Sequence, residues 1–390
     1  MIHPEERPAA ELAAGRRGSV LMAVLLFVAI VVVAAFGYVK SQGTELKNID
    51  VRQFFSGNNK VEQLNDDSNI IEIPYDAKEH PVFGVHMDYI VKCNRDGIWL
   101  LDRKGHELWS VGIPLSNPII KTNGKNLLVA DIGGKDIYVI NGKSVRWNDR
   151  TEESIQNAEI NENGYVTVIT SSRLYNGEVR VYDDRGIELL QSVIANNFAV
   201  TAKIAPSGKM MVIDLINASD AKAYTYLKFS DMNGKDLIEK SMPQDKGIYP
   251  FVWFSKDDAV VAAGDTSIVF MDNAGNIKSD KQFSKVASAS ITGSKRVAAA
   301  VVNGNAGELK VFSADGREYS SAPLRDEVLS ISAFEGVIAV NTGRKASFWT
   351  ERCKSKGEYN SKSDIIEVFF FSSHQAAIVT KTIIAVVDIG

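Results

Sequence analysis

The chain has 390 residues, of which 45% are apolar and 24% charged, a globular composition and not a disordered one. Its net charge is −4, and the first 39 residues contribute nothing, because Arg7, Arg16 and Arg17 balance Glu5, Glu6 and Glu11. The acidic, mixed-sign remainder offers no concentrated basic patch, so nucleic acid is excluded as a partner.

From the N-terminus, residues 1–19 form a polar tail too short to fold, read as cytoplasmic. Residues 20–39 (VLMAVLLFVAIVVVAAFGYV) hold no charge. As a helix they span about 30 Å, the thickness of the hydrocarbon core. The run has no polar face and is longer than a signal-peptide core, and Ala34-Ala35-Phe36-Gly37 makes a poor cleavage site. It is therefore expected to be an uncleaved transmembrane helix with the lipid bilayer as its partner. Arg16 and Arg17 precede the run and Lys40 follows it. That bias predicts a single-pass protein with a cytoplasmic N-terminus and everything after residue 40 extracytoplasmic. Residues 40–68 are polar and rich in Asn, Asp and Gly, and read as a stalk with one apolar knot at Phe54-Phe55.

Beyond the stalk the texture changes to short Val/Ile/Tyr/Phe runs separated by turn residues. A turn of the Asp-x-x-Gly or Asn-Gly kind recurs eight times: at Asp102–Gly105, Asn141-Gly142, Asp183–Gly186, Asp231–Gly234, Asp272–Gly275, Ala314-Asp315-Gly316, Lys354–Gly357 and Asp388-Ile-Gly390. The glycines are separated by 37, 44, 48, 41, 41, 41 and 33 residues, and a spacing of about 41 is the period of a four-stranded propeller blade. The Asp caps its own turn and the Gly takes the positive φ that follows. An apolar strand precedes each turn, as in Ile98-Trp99-Leu100-Leu101 or Ile268-Val269-Phe270-Met271. The reading is an all-β, eight-bladed β-propeller over 69–390, with seven blades as the alternative. The last repeat ends at its turn without a fourth strand, while a spare strand, Asn69-Ile70-Ile71-Glu72-Ile73-Pro74, precedes the first. Pairing strand 69–74 onto the blade at 365–390 removes two open sheet edges.

Asp102-Arg-Lys-Gly105-His-Glu-Leu-Trp109 resembles the repeat of quinoprotein-like (PQQ-like) propellers, in which Trp follows Gly by four residues. Gly186-Ile-Glu-Leu-Leu190 and Gly316-Arg-Glu-Tyr-Ser320 keep the frame with the Trp replaced. The plan of tail, span, stalk and propeller resembles a family of membrane-anchored propellers of Gram-positive, Clostridium-like bacteria. A similar fold serves as a scaffold in outer-membrane assembly lipoproteins, which implies an assembly role.

No local motif marks a catalytic, cofactor or metal site. The only cysteines, Cys93 and Cys353, lie 260 residues apart. The adjacent cysteine pair of quinone enzymes is therefore missing, and no cofactor is expected. They read as two separate thiols, with a bridge across the fold as the alternative. His3, His80, His86, His106 and His374 show no i, i+2 or i, i+4 pairing and read as surface or loop residues. Neither Gly-x-Ser-x-Gly nor a phosphate-binding Walker loop occurs. Two aromatic clusters, Tyr249-Pro-Phe251-Val-Trp253-Phe254 and Phe369-Phe370-Phe371, fall on innermost strands. Core packing is the default for both, and Tyr249 and Trp253 are the candidates for a ligand-stacking platform at the channel mouth. The expected function is a binding or scaffold module in the cell envelope, facing an envelope protein or wall polymer. The alternative is a hydrolase or lyase with its site in the central channel.

Overall fold

The computed structural model describes residues 63–64, 70–219, 222–242 and 247–390. The expected transmembrane helix at 20–39, the tail before it and nearly all of the stalk lie outside the described residues.

Eight four-stranded antiparallel sheets follow one another. Blades 1 to 7 occupy residues 82–112, 118–150, 155–194, 198–241, 251–282, 285–324 and 330–360, each in simple up-and-down order. Blade 8 is composite. Its three strands from 365–388 are completed by Ile71–Pro74, which pairs antiparallel with Ile383–Asp388, Ile71 opposite Val386 and Ile73 opposite Ile384. The first strands converge on a common axis, that of blade 1 meeting that of blade 8.

Blades are apolar on both faces, which a two-sided packing demands. The buried residues accordingly fall into eight clusters among the described residues, one at each seam between neighbouring blades. At the closing seam, Ile73 and Phe371 of blade 8 pack with Phe83 and Ile90 of blade 1. The chain before the closing strand also takes part. Gln63 forms a parallel bridge to Glu358 on the outer strand of blade 7, the Leu64 amide donates to the Glu358 carbonyl at 2.9 Å, and Leu64 packs on the seam between blades 7 and 8.

The turn between third and fourth strands explains the repeat. In blade 3, Asp183 Oδ1 accepts from the amides of Arg185 (2.8 Å) and Ile187 (2.9 Å), and Gly186 sits at φ +84°. The register slips by one residue there, a bulge that tightens the hairpin. Asp102, Asp231 and Asp272 accept the same two amide bonds. Gly186 also carries the packing against the preceding blade, because an added Cβ would stand 2.7 Å from the ring of Trp147 on the outer strand of blade 2. Gly186→Ala is expected to lower stability by about 2–4 kcal/mol, combining left-handed strain with overpacking, measurable by denaturant unfolding; an unchanged midpoint would contradict the contact.

The seventh turn needs correction. It is not Lys354–Gly357 but Thr350-Glu351-Arg352-Cys353, where the Thr350 amide donates to the Lys354 carbonyl and Cys353 takes φ +53°. Gly357 lies inside the fourth strand, Ser355–Asn360. A non-glycine residue holds the positive-φ position in this blade, so the Gly signal points four residues too far. Asp388 likewise opens no turn, since it closes the ladder opposite Gln375.

Candidate functional site

Because every blade has the same hairpin geometry, residues of the eight first strands can be matched through their partners. The third-strand residue two places before the turn pairs with a second-strand residue, which pairs in turn with one first-strand residue. In blades 2 to 5 that residue is Lys121, Glu159, Lys203 and Trp253, opposite Leu128, Thr167, Val212 and Val261. In blades 6, 7, 8 and 1 it is Ser290, Ser332, Phe369 and Gly84. One tier of the channel wall thus carries cation, anion, cation and indole on four successive blades, and no charge on the other four.

The charged members are in contact. Glu159 Oε1 lies 3.0 Å from Lys121 Nζ and 3.7 Å from Lys203 Nζ. All three are partly withdrawn from water, with side-chain exposures of 37% for Lys121, 18% for Glu159 and 25% for Lys203. A third pair, Lys295 Nζ to Glu162 Oε2 at 3.8 Å, stands at the turns above. Two adjoining cavities, of about 240 and 340 Å³, share Lys121, Glu159, Lys203 and Trp253 in their walls. The Trp253 ring lies parallel to that of Phe251, 5.7 Å between centroids and 5° between planes. Phe251 itself is 52% exposed. Glu367 of blade 8 belongs to the neighbouring tier, opposite Val379. Its carboxyl is accessible from the channel yet enclosed by protein, and this burial raises its pKa against the pull of the Lys121 charge.

Of the two residues expected to stack a ligand, the structure separates one from the other. Trp253 lines both cavities. Tyr249 does not: it precedes the strand Phe251–Phe254, is fully buried in the seam between blades 4 and 5, and pairs its hydroxyl with Ser267 Oγ at 2.6 Å. Its ring faces are covered by core, which removes it from the platform. His86 also departs from expectation. It is 1% exposed at the end of the strand Val82–His86, and neither ring nitrogen has a hydrogen-bond partner. Burial lowers its pKa to about 4. Cys93 and Cys353 are both free thiols, with burial raising each pKa. Among the described residues no group of three or more His, Cys, Asp or Glu is placed to hold a metal ion.

Behind the channel wall lies a second buried group. Asp214, on the second strand of blade 4, stands opposite Thr201. It is fully buried, and neither carboxylate oxygen, nor the Thr201 hydroxyl, has a hydrogen-bond partner. Burial raises its pKa to about 7 against the opposing charge of Lys203. The equivalent positions in most other blades are apolar: Cys93, Ala130, Ile169, Ala263, Ala300 and Val379.

Solved structures of similar fold include BamB from Moraxella catarrhalis, with a TM-score of 0.55 and 12% identity, covering 82% of this chain and 99% of that one. Sqt1 from Chaetomium thermophilum gives a TM-score of 0.57 at 12% identity, over 79% and 95%. A eukaryotic initiation factor gives 0.51 at 10% identity, over 77% and 80%. At such identities the likeness is one of fold. No curated protein sequence matches this chain. The chain belongs to a family of unknown function, DUF5711, which matches it over residues 76–389.

Proposed function

We propose that the protein is a membrane-anchored binding or scaffold module of the cell envelope, with its propeller outside the cytoplasm and its ligand seated in the channel. The uncharged run 20–39 behind Arg16 and Arg17 supports the anchor and its orientation. The propeller architecture suits a module that presents a rigid, concave seat.

The observation that carries the reading is the run Lys121, Glu159, Lys203 at one register on successive blades. Packing a ring needs no charge at this position, since other blades place Gly, Ser or Phe there. Drawing three ionised groups partly out of water costs free energy that their pairing with one another need not fully offset. Such groups are retained where they meet something. Together with the Trp253 face they form a polar, ring-walled seat of the kind that fixes a ligand's orientation.

The test uses the full chain in detergent, incubated with insoluble cell-wall fragments and sedimented. The wild-type protein is expected in the pellet. A Lys121→Ala/Lys203→Ala double variant with an unchanged melting temperature should bind about a hundred-fold more weakly or worse, since each of the two lost charged hydrogen bonds is worth about 1.5–3 kcal/mol. Equal retention would remove the channel from the binding reading. Release of soluble fragments during the incubation would favour a hydrolase or lyase.

A further inference from the structure

We infer that the channel site takes an anionic saccharide, a sugar ring bearing a carboxylate or phosphate, and that Glu159 occupies the anion's place when the site is empty. This rests on the reading of the channel as the ligand seat and names the chemistry it selects.

Three observations converge on it. First, the charge balance of the wall runs against that of the chain. The cavity of about 240 Å³ is bordered by three lysines, Lys121, Lys203 and Lys295, and two glutamates, Glu159 and Glu162, in a protein of net charge −4. The surplus is cationic where field lines are focused by low-dielectric walls. Second, Glu159 is shared unequally. It sits at hydrogen-bond distance from Lys121 but at 3.7 Å from Lys203, so Lys203 is the more loosely paired of the two lysines. Its other neighbouring charge is Asp214, which is buried behind Thr201 and unpaired. An incoming anion can therefore displace Glu159 from Lys203 more readily than from Lys121, and competes with it for both. Third, Trp253 is the next member of the same tier, on the blade after Lys203. Its ring runs parallel to that of half-exposed Phe251. Aromatic faces of this kind accept the C–H face of a pyranose, while the lysines hold an acidic substituent at its rim. A flat aromatic anion needs the same lysines, but an unsubstituted sugar needs none of them. The combination selects a ring that is both aliphatic-faced and charged.

The experiment measures binding of the full chain in detergent to four probes by calorimetry: trigalacturonate, glucose 6-phosphate, neutral trigalactose and the aromatic anion benzoate. Trigalacturonate or glucose 6-phosphate is expected to bind, and the one that does identifies carboxylate or phosphate as the anion. Trigalactose should bind about ten-fold more weakly or not at all, the cost of a missing charged hydrogen bond. Benzoate binding as well as the acidic sugars would overturn the saccharide assignment. Two substitutions separate a binding role from a structural one. Trp253→Ala should weaken the acidic sugar without changing the relative preference for charge. Glu159→Gln, of the same shape, should strengthen the acidic sugar several-fold, because the internal competitor loses its charge. Weaker binding in Glu159→Gln, or equal binding of the neutral sugar, would overturn the inference. If no probe binds while wall fragments are still retained through Lys121 and Lys203, the ligand is of another class and the channel reading stands. If wall retention is also absent, the reading itself falls.

Discussion

A chain beginning at Pro81 is expected to melt at least about 10 °C below one beginning at Asp67, and to aggregate on heating. The shorter chain lacks Ile71–Pro74, the outer strand of blade 8. Four paired positions are lost from the ladder, each backbone hydrogen bond contributing about 1 kcal/mol net. Ile73, 7% exposed in the seam between blades 8 and 1, contributes a further 1.5–3 kcal/mol or so. Tyr75 goes as well, with its amide bond to the Thr382 carbonyl at 3.0 Å, its hydroxyl bond to the Thr380 carbonyl and its edge contact with Phe83. The strand Ile383–Asp388 would then present an open apolar edge, which invites pairing with other chains. A loss of several kcal/mol is a large fraction of the roughly 5–15 kcal/mol that stabilises a typical domain, and each kilocalorie moves the midpoint of a domain this large by about 2 °C. Ile73→Asp in the longer chain should reproduce much of the effect without shortening anything. Equal melting temperatures for the two chains would mean that the ring holds without this strand.

The second large effect concerns Asp214. Its folded-state pKa of about 7 lies above the roughly 3.9 of an unfolded aspartate. The folded protein therefore holds a proton that the unfolded chain releases. Stability from this group is fully present below about pH 4 and is lost as pH rises through 7. The gap between the folded and unfolded values corresponds to about 4 kcal/mol. Valine, close in shape to residues that stand at this position in other blades, removes the titration. Asp214→Val should thus be nearly neutral at pH 4 and more stable than wild type by about 4 kcal/mol at pH 8. His86 works in the opposite sense. With a pKa lowered to about 4, it costs stability as pH falls below about 6.5, and it cancels when the two proteins are compared at each pH. Denaturant unfolding across pH 4–8 reads the difference directly. A gain that does not vary with pH would show that Asp214 is ionised throughout.

The architecture is legible because its signals are local. An Asp capping its own turn, a Gly at positive φ and an apolar run before them need only a few residues of context, so blades can be counted from turns such as those at Asp102, Asp183, Asp231 and Asp272. The same locality explains the misplacement in blade 7, where Cys353 takes the glycine's conformation and Gly357, a few residues on, carries the stronger local signal. Trp253 is visible as an aromatic on an inner strand. Lys121, Glu159 and Lys203 carry no such mark, since one at a time they look like ordinary surface charges. Only counting back from each turn through the paired strands places them at one level.

What the sequence determined by itself is the number of repeats, the two-faced apolar strands and the spare strand before the first repeat, all products of turn chemistry and side-chain alternation. Tertiary structure alone decided which of those residues meet. Lys121, Glu159 and Lys203 are separated by 38 and 44 residues, and only the ring brings equal registers of successive blades to the same height on the channel. The same packing put Tyr249, His86 and Asp214 out of reach of water. Burial is a property of the seam between two blades, and neither blade's sequence contains it.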